Sequence, residues 1–241
     1  MNDTAQSTAP ENGQAIAPLR GWASDLLYDL TFYSGGVFFN LGWSLRTEGM
    51  HNTPRHGPVL VIANHQSFFD PVLIGMATRR RLCFLARKSL FDQPGFRWLI
   101  RSLNAVPIDQ DGFGIEGLRT TTRLLQQGLA VLVFPEGGRT SDGKICPLKH
   151  GVSLLVKRCP APIVPVGLAG AFDAWPNRRP LPAPSPLCLP ATKRTIALSV
   201  AEPIQPGSLS GLSREAIVDR LTEVLKGCHD RAQRLRRKGE G

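Results

Sequence analysis

"VLVIANHQSFFDPVLIG", residues 59–75, decides the fold class. Five apolar residues break into Asn64-His65, Asp70 follows, and Pro71 opens a second apolar run. An unbroken apolar pentad has the length and composition of a strand buried on both faces. "PVLIGMAT" (71–78) carries its proline where a helix tolerates one, in the first turn. The stretch therefore reads as strand, loop and helix, the repeating unit of an α/β sheet.

The same alternation continues downstream. "LCFLA" (82–86), "AVPI" (105–108), "AVLVF" (130–134) and "IVPVGL" (163–168) read as short buried strands. "FRWLIRSL" (96–103), "GIEGLRTTTRLLQQG" (114–128) and "GVSLLVKRC" (151–159) read as the helices between them. Pro165 is expected to interrupt its strand, as at an edge or a bulge beside a site. "WPNRRPLPAPSPLCLPATKR" (175–194) is a proline-rich surface excursion, and "TIALSVAEPI" (195–204) a late strand. Residues 213–238 form a helix with a Ser N-cap and a basic end: Arg231, Arg234, Arg236, Arg237 and Lys238. That end suits anionic lipid or is a plain solvated helix terminus. The expected architecture is a single α/β domain (50–210) with a mixed, largely parallel central sheet flanked by helices, followed by the basic C-terminal helix (211–241).

A polar segment, residues 1–18, has the composition of a disordered tail and lacks the apolar core of a signal peptide. Residues 19–49 are dense in apolar and aromatic side chains, among them Trp22, Leu26, Tyr28, Phe32, Tyr33, Val37, Phe38, Phe39 and Trp43. The unbroken apolar part is shorter than the roughly 20 residues of a spanning helix. Two helices broken at Gly35-Gly36 and lying in the membrane interface are expected, with a hairpin packed on the protein's own core as the alternative.

At 241 residues the chain is long enough for one large core. Lys and Arg number 29 against 19 Asp and Glu, a net charge of +10 that favours an anionic partner: nucleic acid, a membrane surface or a phosphate-bearing substrate. No helix-turn-helix, zinc or aromatic RNA-binding signature accompanies the charge, so nucleic acid is not expected. The five cysteines are odd in number and none forms a C-x-x-C pair, which fits a reducing compartment without a disulfide framework or a zinc site.

Two strand-to-helix loops carry chemistry-bearing residues, at the end of a strand where α/β sheets bind ligands. A histidine beside a carboxylate can act as a general base, because the acid fixes the tautomer and stabilises the imidazolium. His65 and Asp70 meet if the backbone turns between them; otherwise Asp70 is an N-cap and His65 a satisfied loop residue. In "VFPEGGRTSDG" (133–143), Pro135, Gly137 and Gly138 make a turn whose backbone N–H groups can face a ligand. Arg139 can clamp a phosphate there, and Glu136 can hold a substrate hydroxyl or fix Arg139; the alternative is a surface Glu–Arg pair on a glycine turn.

Taken together these blocks resemble the glycerolipid acyltransferases of the 1-acylglycerol-3-phosphate (PlsC-like) type. "NHQSFFD" (64–70) matches the family's N-H-x-x-x-x-D block, and "VFPEGGRT" (133–140) resembles F-P-E-G-x-R-S with Thr140 in place of serine. "AVPID" (105–109) and "IVPV" (163–166) resemble two further blocks, in family order. The resemblance implies that His65 deprotonates an acceptor hydroxyl, which attacks an acyl thioester carried by CoA or acyl-carrier protein, with Asp70 orienting His65. It implies an acceptor pocket formed by Asn64, Glu136, Gly137, Gly138, Arg139 and Thr140, with Lys88, Asp109 and Lys149 as secondary candidates. It implies no metal, no cofactor and no acyl-enzyme, and a peripheral or monotopic place on the cytoplasmic membrane face. After "PID" the family commonly has arginine where this chain has Gln110, which removes a charge from the acceptor pocket and leaves another lysolipid, such as a lyso-aminolipid, open. The rival is a non-catalytic lipid-binding protein of the same fold.

Overall fold

The computed structural model describes residues 22–109, 114–176, 179–188 and 190–237. The N-terminal tail expected over 1–18, Gln110 and Lys238 lie outside the described residues. In chain order the strands are β1 (Arg46–Glu48), β2 (Val59–Ala63), β3 (Leu82–Arg87), β4 (Ala105–Ile108), β5 (Ala130–Val133), β6 (Ile163–Ala169) and β7 (Ala197–Val200). The helices are α1 (Trp22–Trp43), α2 (Asp70–Thr78), α3 (Pro94–Ser102), α4 (Ile115–Gln126), α5 (Gly151–Arg158), α6 (Ala171–Ala174) and α7 (Arg214–Arg237).

The strands form one sheet in the order β1-β7-β6-β2-β5-β3-β4. Every neighbouring pair is parallel except β6–β7, which is antiparallel. The mixed, largely parallel α/β sheet read from the sequence is the one found. β2 lies at the centre, so all five of its residues are buried. Its side chains alternate between two cores. Val59, Val61 and Ala63 face α1 and α2, whereas Leu60 and Ile62 face α4, α5 and α7. Because β2, β3, β4, β5 and β6 run the same way, the loops that follow them gather along one edge of the sheet, where open α/β sheets bind ligands.

Four details depart from the sequence expectations. The N-terminal segment is one continuous helix, α1, not a pair broken at Gly35-Gly36. Two glycines cost a helix only about 1 kcal/mol each. Here α1 rests on α2 at those positions, with Val72 and Met76 beside them, and Phe39 and Trp43 pack edge-on against Phe69. Residues 46–48, grouped by sequence with that segment, are instead the edge strand β1, too short for an apolar pattern to reveal. Pro165 does not interrupt β6, which runs unbroken through it, and is not at an edge; the bulge alternative fits, because the pairing slips by one residue opposite it, from Ile163 with Ile204 to Val166 with Val200, and its carbonyl accepts from Ala201 N–H (2.9 Å). Finally, the basic end of α7 is split: Arg234 and Arg237 are exposed, but Arg236 is turned into the protein.

The proline-rich excursion has no strand or helix among its described residues. It closes the end of α1: the N–H groups of Ser185 and Leu187 bond the carbonyls of Gly42 (2.8 Å) and Leu41 (3.1 Å).

Candidate active site

His65 stands in the loop after β2, and Asp70 is the first residue of α2. The chain turns between them, and Asp70 Oδ2 accepts from His65 Nδ1 at 2.7 Å. A carboxylate can only accept here, so Nδ1 carries a hydrogen, and the neutral form of the ring has its lone pair on Nε2. Nε2 has no hydrogen-bond partner among the described residues, and the ring is 18% exposed while Asp70 is fully buried. Oδ2 also takes the N–H groups of Gln66 (2.5 Å) and Ser67 (2.8 Å). The sequence alternative made Asp70 a cap for its own helix. In fact the carboxylate caps the loop before it, which holds the loop's shape and the imidazole with a single oxygen. Phe134, at the end of β5, stacks on the ring at 3.8 Å and 12°. The imidazole is thereby fixed both in its plane and in rotation.

The backbone of His65 is clamped from both neighbouring strands. On the β5 side Glu136 Oε1 accepts from His65 N–H (2.7 Å) and its Oε2 from Cys146 N–H (2.6 Å). Thr140 N–H donates to the His65 carbonyl at 2.9 Å. On the β6 side Asn64 bonds both polar groups of one residue: its Nδ2 donates to the Leu168 carbonyl (2.9 Å) and its Oδ1 accepts from Leu168 N–H (2.8 Å). Asn64 thus continues the β2–β6 ladder with a side chain. Glu136, Asn64 and Thr140, all expected to face the acceptor, are buried and have these backbone partners instead. Burial pushes the Glu136 carboxyl above its usual range, opposed by the N–H groups of Cys146 and His65. The Thr140 hydroxyl shapes the next turn, donating to Asp142 Oδ1 (3.0 Å) and accepting from Gly143 N–H (3.1 Å).

Arg139 is different. Its guanidinium carbon lies 3.6 Å above the centre of the Phe68 ring. Its Nη1 is buried and has no hydrogen-bond partner among the described residues. Burial pulls its pKa down, the Asp70 carboxylate acts against that, and Arg87 adds to the fall. Gly137 takes φ +75°, and a Cβ there would fall 2.5 Å from Lys149 Cε and Nζ. The turn is therefore one that only glycine enters without displacing Lys149. Gly138 is exposed with open space around it. Lys88 and Asp109, at the ends of β3 and β4, pair with each other at 2.5 Å on the surface. Among the described residues no three His, Cys, Asp or Glu side chains come together as a metal cage.

Several site residues escaped sequence reasoning. Gln66 is buried and links two loops, donating to the Gly143 carbonyl (3.1 Å) and accepting from Phe172 N–H (3.3 Å). Phe134 directly follows the buried strand β5, and an aromatic there was the available signal; Phe68 lies in the loop before α2. Trp175, which packs on Phe68 and Phe69, gave none.

The geometry can be set beside known proteins. A family model described as Acyltransferase matches residues 44–169. Among curated proteins, a chloroplastic 1-acyl-sn-glycerol-3-phosphate acyltransferase of Brassica napus, BAT2, is 27% identical over 159 residues, 65% of this chain and 42% of that protein. The 1-acyl-sn-glycerol-3-phosphate acyltransferase of Bacillus subtilis is 26% identical over 135 residues, 56% of this chain and 67% of that protein. That of Helicobacter pylori is 28% identical over 198 residues, 80% of this chain and 78% of that protein. The chain thus spans between under half and about three quarters of these relatives. The crystal structure of the 1-acyl-sn-glycerophosphate (LPA) acyltransferase PlsC from Thermotoga maritima superposes with a TM-score of 0.71 at 27% identity, over 86% of this chain and 80% of that one. A family model that takes in the dyad, the glycine turn and more than half of the sequence settles the kinship: the chain belongs to the acyltransferase family.

Proposed function

We propose that this protein moves a fatty acyl group from a thioester, acyl-CoA or acyl-carrier protein, to the hydroxyl of a lysophospholipid, 1-acylglycerol 3-phosphate first among them. The observation that carries the reading is the His65–Asp70 pair at 2.7 Å with Nε2 unengaged, close to an arginine whose buried Nη1 lacks a partner. The acceptor hydroxyl gives its proton to His65 Nε2 as its oxygen attacks the thioester carbonyl. Asp70 stabilises the imidazolium through Nδ1–H. The tetrahedral intermediate then collapses, the C–S bond breaks, and the leaving thiolate takes the proton from Nε2, so the enzyme ends as it began. Arg139 receives the acceptor's phosphate in bidentate fashion. Holding the two substrates together supplies much of the rate. The relatives, named as 1-acyl-sn-glycerol-3-phosphate acyltransferases, support the acceptor class.

The reaction takes place at the cytoplasmic membrane face, with the protein bound monotopically. Leu26, Leu30, Tyr33, Val37 and Leu41 recur on one side of α1 and are 60–72% exposed. Such a stripe suits the headgroup–acyl boundary. α3, which touches α1, adds exposed Trp98 and Leu99 between Arg97 and Arg101. No described helix is long and apolar enough to cross a membrane.

A donor-by-acceptor screen tests the reading, with acyl-CoA and acyl-carrier protein each offered lysophosphatidate and a lyso-aminolipid. Turnover of one pair that falls about 10²- to 10⁴-fold in His65→Ala is the expected result. Undiminished turnover in that variant ends the general-base assignment, and no transfer from either donor leaves a lipid-binding protein. For the membrane, Leu30→Asp combined with Val37→Asp should abolish co-flotation with anionic vesicles. Continued flotation would move the contact to the basic end of α7.

A further inference from the structure

A chain of hydrogen bonds on α7 leads to the loop that holds His65, and acyl transfer as described makes no use of it. α7 lies flat on β6, because Gly167 leaves no side chain between them; a Cβ there would fall 2.1–2.4 Å from the backbone of Cys228 and His229. This close approach brings His229 Nδ1 within 2.8 Å of the Leu168 carbonyl, the same oxygen that accepts from Asn64 Nδ2. His229 Nε2 lies 3.1 Å from Gln233 Nε2, and Gln233 Oε1 accepts from Arg236 Nε at 2.7 Å. Arg236 is held in turn by Asp173 Oδ2 (3.1 Å) and by the Lys193 carbonyl.

The chemistry of these groups allows one arrangement of hydrogens. A carbonyl only accepts, so His229 Nδ1 carries the hydrogen. The Arg236 Nε–H only donates, which fixes Oε1 as the atom of Gln233 that faces it. The amide nitrogen must then face His229, and it only donates, so Nε2 must accept. His229 is neutral and in the Nδ1–H tautomer. A flip of the Gln233 amide cannot relieve a second hydrogen on the ring, because it would set N–H₂ against the guanidinium.

We infer that His229 is a positioning residue for the reacting imidazole, acting through Leu168 and Asn64 and held in its tautomer by Gln233 and Arg236. The Leu168 carbonyl offers two lone pairs, and Asn64 and His229 take one each. With both in place, the carbonyl cannot tilt away from Asn64. Asn64 directly precedes His65, so the pitch of the β2 end is set from the α7 side as well as by Glu136 and Thr140. The relay lines an open cleft of ≈ 530 Å³ that Gln66 and Gly143 also line. The charged groups facing that space are Asp142, Lys144, Asp173, Lys226, Asp230 and Arg236. Burial lowers the His229 pKa, in keeping with a neutral ring.

The inference rests on the acyl-transfer reading, and two measurements on the full chain keep them apart. In steady-state kinetics His229→Ala should lose roughly tenfold in kcat at unchanged acceptor KM, short of the ~10²-fold that a full 1 Å misplacement can cost. His229→Asn, which keeps an N–H near the place of Nδ1, should restore kcat to within about twofold of wild type. Val218→Ala, a truncation on the same helix that also lowers Tm, should leave kcat alone. Equal kcat in His229→Ala and wild type, failure of His229→Asn to rescue, or an equal loss in Val218→Ala would each overturn the positioning role. The second measurement is the ¹⁵N–¹H spectrum of the His229 ring at pH 7, expected to show a neutral Nδ1–H tautomer. An Nε2–H ring overturns the relay, whether or not acyl transfer is seen. Wild type and His65→Ala in the same kinetic series report on the acyl-transfer reading alone.

Discussion

Arg139 and Arg236 are two arginines drawn in from the surface of the same protein, and they live in opposite circumstances. Arg236, its side chain 9% exposed, has Asp173, Gln233 Oε1 and the Lys193 carbonyl for its donors. Arg139 has an aromatic face beneath it and a buried Nη1 with no partner among the described residues. Burying an unpaired donor on a cation costs more than leaving it in water. A group so placed is explained when a ligand completes it. The difference separates an arginine whose donors are met by the fold from one with a buried donor unmet among the described residues, as the proposed phosphate site requires, and charge counting along the sequence cannot draw it.

The largest effect that tests this contrast is expected at Arg139. Arg139→Ala should raise the acceptor KM by about 10- to 100-fold, the equivalent of one or two charge-assisted hydrogen bonds, with the donor KM little changed. Arg139→Lys should recover only part, since an ammonium cannot make the bidentate contact. Equal changes in both KM values would remove the phosphate role and make the two arginines alike. Arg236→Ala should act in the other register. It should lower stability by about 1–2 kcal/mol in urea unfolding, discounted because its partner Asp173 is half exposed, and leave the acceptor KM unmoved. A KM effect at Arg236 would erase the distinction from that side.

How much of this was legible follows the range of the interactions. β2, β3, β4, β5 and β6 were readable because a strand buried on both faces is a continuous apolar run. His65 and Asp70 were located by the strand end and the proline, but spacing alone left an N-cap reading of Asp70 open, and only the four blocks in family order favoured the pair. Glu136 was located but given the wrong neighbours. Its partners are the N–H groups of His65 and Cys146, and backbone donors leave no mark in a sequence. Asn64 reaches a residue 104 positions away, so its ladder-like bonds to Leu168 appear only in three dimensions. α1 was misread at Gly35-Gly36, where local propensity yields to packing against Val72 and Met76. His229 sat in an ordinary amphipathic helix, and only the bare backbone at Gly167 brings it near the site.

The smallest effect is a pH dependence that sets two titrating groups, the part-buried His229 and the buried Glu136, against each other. Burial lowers the His229 pKa, with Arg236 in the same sense and the Leu168 carbonyl and Asp230 opposing. Below the unfolded value of about 6.5, the unfolded chain therefore binds a proton that the folded chain refuses, and stability falls as pH falls until the folded value is passed. Glu136 shifts upward through burial, so the folded chain keeps a proton that the unfolded chain releases, and its contribution falls as pH rises from about 4.5. The two trends oppose each other in wild type, and a single stability profile would blur them. Subtracting the profile of His229→Asn isolates the histidine. Urea unfolding between pH 7.5 and 5 should show wild type losing stability relative to that variant on the acid side, by no more than about 1.4 kcal/mol per pH unit. A flat difference, or one that grows toward alkaline pH, would mean that His229 accepts a proton freely in the folded state. Gln233 and Arg236 would then not be holding its tautomer, and the α7 relay would be no more than a surface contact.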